Sequence, residues 1–402
     1  MVSNYFSLLV LQSTNYILPL LLLPYLVRVL GTEKFGIVML AQSLCLFLTV
    51  VVDFGFSLSG TREISLCRNN KTKMSQIFIA IMFIKSALIV VAFFLLFAVV
   101  MAFDRFSVDY EVYFLSFGIV IGQAIFPVWF FQGIEKMKFI TIVNLLAKVI
   151  FTILVIIFVK SSVDYKQVPI YNSLGFIISG LLGFIVSVRY ISFTTPSFKL
   201  TYQLLKDTSP LFVANFASML YTSSNVLILG FFSNNALVGI YSSMEKLIIA
   251  IKNSYTPLYQ ALFPWLSQQS DQKKIEGIKK IRPFVLGLGI LITLIILLFA
   301  KQILEIIYHD ILITEYSLVL KILSFVAIFS GLNMLYVGLY FPATKNYKLK
   351  MRIQAYGGIL NIILALIFVN LFDIYGVSIS VLLTELFLLI LGFYYFNKLI
   401  KN

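Results

Sequence analysis

Long apolar runs, each closed by a short charged segment, follow one another from the first residues of the chain to the last. A run of about 20 apolar residues is long enough, as a helix, to span about 30 Å of hydrocarbon. Breaking the chain at its charged segments predicts twelve such spans: 7–30, 35–56, 77–103, 112–131, 140–159, 169–188, 209–232, 238–262, 284–306, 318–341, 353–372 and 376–396. The eighth departs most from the pattern, since it carries Glu245, Lys246 and Lys252. No alternating ten-residue segments of the kind that build a barrel occur. Helices satisfy their own backbone hydrogen bonds in lipid. The expected fold is therefore an all-α membrane protein of about twelve transmembrane helices. The first run lacks a basic leading region, is interrupted by Asn4 and Gln12, and continues to Leu30 without a small-residue cleavage site. It reads as a retained helix, not a signal peptide.

Composition agrees. The 402 residues are 60% hydrophobic and 12% charged, with a mean hydropathy of +0.98. A soluble domain has too little interior to hide that much apolar surface. Cys45 falls inside a span and Cys67 in a predicted loop, so the two face different surroundings and no disulfide is expected; neither has metal-ligand spacing. The single histidine, His309, rules out a multi-histidine metal site. No cofactor is expected.

Charge orients the chain. Lys and Arg number 31 against 17 Asp and Glu, a net charge of +14. Twenty of the basic residues lie in one alternating set of breaks, from Arg62 through Lys136, Lys206, Lys280 and Lys350 to Lys401. Only Lys34, Arg105, Lys160 and Lys166 lie in the other set. The positive-inside rule puts the first set and both termini in the cytoplasm. Basic loops against anionic headgroups then account for the net charge without a nucleic acid partner. No loop exceeds about 20 residues. An enzyme acting on soluble nucleotide sugars needs a soluble domain, and a glycan polymerase a large outer loop. The pattern therefore favours a transporter over an enzyme.

The halves resemble each other. Phe35-Gly36-Ile37 opens the second span and Val238-Gly239-Ile240 the eighth, 203 residues apart. The same offset carries Gln12 onto Asn215, Asn15 onto Ser218 and Pro19 onto Thr222. Gly133 to Met137 likewise parallels Ala343 to Met351. Six helices per half is an even number, so both halves start on one side, related by a pseudo-two-fold along the membrane normal. The expected organisation is a six-helix lobe over 1–190, a cytoplasmic linker over 191–208 and a second six-helix lobe over 209–402. Transporters built from such repeats hold substrate between them and alternate access around it.

Polar residues inside the spans fall on helical faces. Asn215, Ser218, Thr222 and Asn225 share one face of the seventh; Thr141, Asn144, Lys148 and Thr152 share one of the fifth; Tyr241, Glu245, Lys252, Thr256 and Tyr259 form a stripe along the eighth. Two readings are open: hydrogen bonds between helices, worth about 0.6 kcal/mol each, or a water-filled lumen. Seven basic residues lie within spans: Arg28, Lys85, Lys148, Lys246, Lys252, Lys301 and Lys321. A cation at the bilayer centre costs about 2.5–3.5 kcal/mol. Lys301 and Lys321 lie near span ends and can snorkel. Arg28, Lys148 and Lys252 are the candidates to face a lumen, and their excess over acids points to an anionic substrate such as a lipid diphosphate. Glu385 either pairs with Lys321 or has no role. Prolines 19, 24, 257 and 264 are expected to kink the first and eighth helices.

Several segments resemble a known family. Asn15-Tyr16 through Pro24-Tyr25-Leu26-Val27-Arg28-Val29-Leu30-Gly31 and Phe35-Gly36, then Asp53-Phe54-Gly55-Phe56 and Thr61-Arg62-Glu63-Ile64, are similar to the opening of Wzx-type O-antigen flippases. Pro127-Val128-Trp129-Phe130-Phe131-Gln132-Gly133-Ile134-Glu135-Lys136-Met137 resembles the fourth-helix signature of that family, and Val238 to Lys246 with Gln260 to Pro264 its eighth helix. These belong to the polysaccharide-transporter branch of the multidrug/oligosaccharidyl-lipid/polysaccharide exporter superfamily. The resemblance covers nearly the whole chain. It implies two six-helix lobes, a cationic V-shaped cavity, an undecaprenyl-diphosphate oligosaccharide as substrate and coupling to an ion, H+ or Na+. Polymerase and chain-length proteins of the same pathway would be its protein partners. It carries over Arg28, Asp53, Arg62, Glu63, Glu135 and Lys246 as important, without dividing them between substrate and gate. Glu245 and Asp53 are candidates for protonation during the return of the empty carrier. The alternatives are a cation-coupled multidrug exporter of the same superfamily, for which an acid-rich lumen is expected, and a membrane glycan polymerase.

Overall fold

The computed structural model of the chain describes residues 2–401 except Phe193 and Pro196; the side chains of residues 2–20, Ser218, Tyr221, Thr222 and Lys401 are outside its description. Gln12, Asn15, Ser218 and Thr222, four members of the expected polar stripe, therefore lie outside the described side chains.

The described residues are helical almost throughout and include no strand. α1 (Val2–Asp53) carries the first two predicted spans and breaks at Gly31, where φ is 73° and ψ 164°. Only glycine enters that region without steric cost. α2 (Phe56–Leu66) follows a left-handed pair, Phe54 and Gly55. α3 (Lys71–Ala102) carries the third span and α4 (Asp104–Ser107) is a short turn. α5 (Tyr110–Ile125) and α6 (Val128–Gly133) divide the fourth span at Phe126-Pro127. α7 (Met137–Phe158) and α8 (Gln167–Val188) follow, separated by a 3-10 turn over Ser162–Lys166.

α9 (Phe198–Phe232), α10 (Asn235–Ser254), α11 (Thr256–Gln268), α12 (Asp271–Tyr308) and α13 (Ile311–Glu315) continue the chain. α14 (Ser317–Ser324), α15 (Val326–Asn333), a π-helical stretch over Met334–Tyr340 and α16 (Phe341–Ala343) share the tenth span. α17 (Tyr347–Lys401) carries the last two and breaks at Asp373, with φ 51° and ψ −128°. Each predicted span is helical over most of its length. Among the described residues, eight helical segments are long and apolar enough to cross a membrane by length and composition.

Three expectations need correction. The helices outrun the apolar runs. Thr61, Arg62 and Glu63, expected in a loop, sit on α2, and the expected linker is helical from Phe198 onward. Lys, Arg, Gln and Glu form helix readily, so hydropathy marks where lipid stops and not where the helix does. The eighth span is not one helix: it divides at Tyr255, and Pro257 is the second residue of α11, where its missing donor costs nothing. In α1, helical dihedrals run through Pro24, and the break falls at Gly31 instead.

Contacts divide the chain into two compact units, one ending at Phe216 and one beginning at Ala217. In unit 1, α5 and α8 meet backbone to backbone. A Cβ on Gly122 would lie 2.3 Å from the Phe176 carbonyl carbon, and one on Gly180 2.4 Å from the Gly122 oxygen. Small residues let membrane helices approach this closely, where packing rather than water exclusion drives association. At one end of the unit, Phe56, Ile64, Phe78, Trp129, Phe130 and Phe131 form an aromatic core. The start of α9 is pinned beside it: Phe54 stacks on Phe212 at 4.7 Å, and Thr208 donates to Ser59 at 2.9 Å. At the other end, the Lys34 ammonium lies over the Tyr165 ring, Tyr165 donates to Asp109 at 2.7 Å, and Lys166 pairs with Glu111 at 2.7 Å.

Unit 2 builds a comparable core from Tyr255, Leu266, Val285, Leu335, Tyr336 and Phe396. The breaks recur as well: Asn234, which caps α10 by accepting from the Leu237 amide at 2.9 Å, stands 203 residues after Gly31.

Candidate functional site

The described residues of each unit hold an ion pair withdrawn from the surface. In unit 2 it joins α10 to α17: Lys252 Nζ lies 2.6 Å from Glu385 Oε1. Glu385 is 2% exposed. From α15, Asn333 Nδ2 donates to Glu385 Oε2 at 2.9 Å and to its main-chain oxygen at 3.1 Å. The carboxylate is thus held from two sides. A cavity of about 200 Å³ opens beside it, lined by Lys252, Ser330, Asn333, Gln354, Glu385 and Leu388. The π-helical stretch begins at the next residue after Asn333; such extra-residue turns are frequent at functional sites.

This arrangement changes the reading of Glu385. The sequence offered Lys321 as its partner or no role; among the described residues its ion-pair partner is Lys252, 133 residues away along the chain. Glu245, which shares a helical stripe with Lys252, lies instead near Tyr241 and in the field of Lys246 and Lys252. Tyr241 is buried, while Glu245, Lys246 and Lys252 are half-buried.

In unit 1 the pair is Lys85–Asp53, with Nζ 3.6 Å from Oδ1. Lys85 is 3% exposed. Asp53 also accepts from the Ser57 hydroxyl at 2.9 Å and amide at 3.3 Å, which ties the end of α1 to the start of α2. Nothing local announced this pair, because its members lie on α1 and α3 with α2 between them. Arg62 and Glu63 pair with each other at 2.7 Å, and Arg68 Nη1 donates to Glu135 Oε2 at 3.0 Å; Arg62 and Glu135 are largely exposed. Pairs of that kind contribute at most about 1 kcal/mol.

Lys148 belongs to a helix with three distinct faces. At about 100° per residue, Ile142, Leu146, Ile153 and Ile157 form one exposed apolar face, as lipid requires, and Ile140, Val143 and Ala147 form a buried one. Thr141, Asn144, Lys148 and Thr152 occupy the third, and all four are half-buried. A polar stripe kept apart from the exposed apolar face is what a water-accessible surface requires. Tyr25 of α1 donates to the Val159 oxygen at 2.7 Å, so α1 runs beside α7. Arg28, one turn further along α1 and one turn before the Gly31 break, is exposed. On α9, Asn215 is half-buried, whereas Asn225 is buried and its Oδ1 has no partner among the described residues. Next to it, Ser224 donates to Asn361 Oδ1 at 3.3 Å and Asn361 to Thr384 at 3.4 Å, a buried polar chain that helical periodicity did not single out.

Comparison with known proteins agrees with this architecture. A protein named "Putative O-antigen transporter" from Escherichia coli (strain K12) is 30% identical over 409 residues, covering 99% of this chain and 97% of its own length. Among solved structures, an inward-facing multidrug resistance MATE family transporter of the MOP superfamily superposes with a TM-score of 0.72 at 14% identity, covering 96% of this chain and 94% of that one. The lipid II flippase MurJ in an inward closed conformation gives 0.62 at 16% identity, with coverages of 99% and 88%. The fold is thus that of these polytopic membrane proteins. A family model described as polysaccharide biosynthesis protein matches residues 1–270, two thirds of the length. By that match and by its full-length relative, this multi-pass membrane protein belongs to the polysaccharide biosynthesis protein family.

Proposed function

We propose that the protein is a flippase, a transporter and not an enzyme. It would move an undecaprenyl-diphosphate-linked O-antigen, or a similar surface polysaccharide repeat unit, from the cytoplasmic to the periplasmic leaflet of the bacterial inner membrane. The observation that carries this reading is the half-buried placement of Lys148 and Lys252 on the polar stripes of α7 and α10. Cations held at such depth are costly to place in lipid and suit a water-accessible surface that meets an anionic substrate. A lipid diphosphate supplies that anion, and the name of the full-length relative supplies the glycan.

In this reading both termini are cytoplasmic, and lobes 1–190 and 209–402 rock around a central cavity. Arg28, Lys148 and Lys252 bind the diphosphate. The polar stripe of Gln12, Asn15, Asn215, Ser218, Thr222 and Asn225 faces the glycan, and the polyprenyl tail stays in lipid. Asp53, Arg62, Glu63, Glu135, Glu245 and Lys246 form gates or couple the cycle to H+ or Na+. An inside-negative potential favours outward movement of the anion by about 2.3 kcal/mol per charge per 100 mV. Resetting the emptied, positively charged carrier is then the opposed step.

The test is the fate of lipid-linked oligosaccharide in a strain lacking the gene. Accumulation of the diphosphate-linked glycan on the cytoplasmic leaflet, with loss of surface polysaccharide, is expected. Normal surface glycan with altered sensitivity to cationic compounds would replace the flippase reading with a multidrug exporter.

A further inference from the structure

Lys252 is assigned above to the diphosphate, yet its ammonium is engaged by Glu385 at 2.6 Å. An anion arriving at Lys252 meets a carboxylate already in place, and the two anions repel across one ammonium. Asn333 anchors Glu385 through its second oxygen and its main chain, so the side chain does not simply turn away. Neutralising the carboxylate removes the obstacle, because a protonated carboxyl is a far weaker partner for an ammonium.

The surroundings suit that change. Asn333 Oδ1 is buried and has no hydrogen-bond partner among the described residues. A protonated Glu385 presents an O–H donor that the ionised group lacks, and a rotated Asn333 amide can accept from it. The cavity beside the pair gives both water and an anion a place to stand. The Lys85–Asp53 pair of unit 1 differs, because its lysine is sealed off at 3% exposure.

We propose that Glu385 is the proton-accepting residue that gates Lys252: ionised, it holds the ammonium; protonated, it yields the ammonium to the diphosphate of the lipid carrier. The proposal rests on the flippase reading and adds to it the identity of the coupling acid. Among the described contacts of α17, the elements packed on it carry the titratable groups Tyr241, Glu245, Lys246 and Lys252 on α10, Lys321 on α14, and Tyr336 and Tyr340 in the π-helical stretch; α15 and α16 carry none, and α9, which meets α17 at Ser224–Asn361, carries Lys199, Tyr202, Lys206, Asp207 and Tyr221. Among the described residues, Lys252 makes an ion pair with Glu385.

The test uses the full chain in lipid nanodiscs with undecaprenyl diphosphate as probe, at acidic and alkaline pH (about 6 and about 8). Wild-type affinity should rise on acidification, by up to about tenfold per pH unit for one linked proton. Titration of the probe's own phosphates affects all variants alike. Glu385→Gln, which keeps the shape and the Asn333 contact, should bind at least about tenfold tighter than wild type at the alkaline pH and show a slope smaller by one proton. Glu385→Gln should bring no gain in a Lys252→Ala background. Proton exchange on binding to wild type, read with a pH indicator, needs no variant. Uptake is expected, whereas a purely cationic site would release protons from the probe. Wild-type slope and affinity in Glu385→Gln, or proton release from wild type, would overturn the proposal while leaving the flippase reading intact if Lys252→Ala still weakens binding. No binding to wild type at either pH would overturn both.

Discussion

Glu135 and Lys345 occupy the same turn in the two units. Each is left-handed, with φ of 58° and 61°, and each is followed by an amide that bonds back to a carbonyl five residues earlier: Lys136 to Phe131 at 2.8 Å, Asn346 to Phe341 at 2.7 Å. The preceding bonds match as well, Glu135 to Gln132 at 3.1 Å and Lys345 to Pro342 at 3.0 Å. This is a helix C-terminus closed by a left-handed residue, repeated where the sequence showed Gly133 to Met137 paralleling Ala343 to Met351.

A left-handed conformation costs a side-chain-bearing residue roughly 1 kcal/mol relative to glycine. Lys345→Gly should therefore stabilise the protein by about 0.5–1 kcal/mol in thermal unfolding in detergent. Glu135→Gly gains the same amount but loses the Arg68 contact, an exposed pair worth at most about 1 kcal/mol, so its net effect should be near zero. Equal stabilisation by both would show that the Arg68 pair contributes nothing.

The Lys85 ammonium sits against the Asp53 carboxylate. Asp53→Asn leaves a buried ammonium without its carboxylate and should cost about 3–5 kcal/mol. The double substitution Asp53→Asn/Lys85→Met should recover most of that loss. Folded yield and unfolding temperature report it. If the double variant still transports, the pair is structural; if it folds and does not transport, the pair belongs to the gate.

Lys148 is the cleaner probe of the cationic surface. Lys252→Ala also strands Glu385, so a loss of export there mixes stability with binding. Lys148→Ala removes a half-buried cation from a polar stripe. Export should fall at least about tenfold with protein level unchanged, about 1.4 kcal/mol of lost binding. Retained export in a Lys148→Ala strain would remove this lysine from the substrate path.

The α5–α8 contact has no room for a side chain. Gly122→Ala should destabilise by about 1–3 kcal/mol, because backbone and not a flexible side chain opposes the new methyl. Gly287→Ala, where a Cβ meets nothing within 4 Å, is the control and should be neutral or slightly stabilising.

Both cysteines are buried, and burial raises the Cys67 thiol above its usual range. A membrane-impermeant maleimide should leave the wild-type protein unlabelled at neutral pH, since the thiolate is the reactive form. Single cysteines can then be read on a silent background. Val163→Cys should label in intact spheroplasts and Lys280→Cys only after the membrane is opened. The reverse pattern would invert the orientation drawn from the basic loops.

The helices, their membrane setting and the polar face of α7 were legible in the sequence, because in lipid every backbone group must be satisfied within its own segment and apolar length reports each helix locally. The breaks at Gly31 and Asp373 fell in the predicted turns for the same reason. Partnership was not legible. Glu385 meets Lys252 across 133 residues, and Lys85 meets Asp53 across two helices; no period along one helix encodes which neighbour packs beside it. The division of the eighth span at Tyr255 and the extension of α2 and α9 past their apolar runs were likewise decided by packing and by helix-forming polar residues, which hydropathy does not register. Local burial is written in composition, whereas the charge state of a buried site depends on what the fold brings beside it.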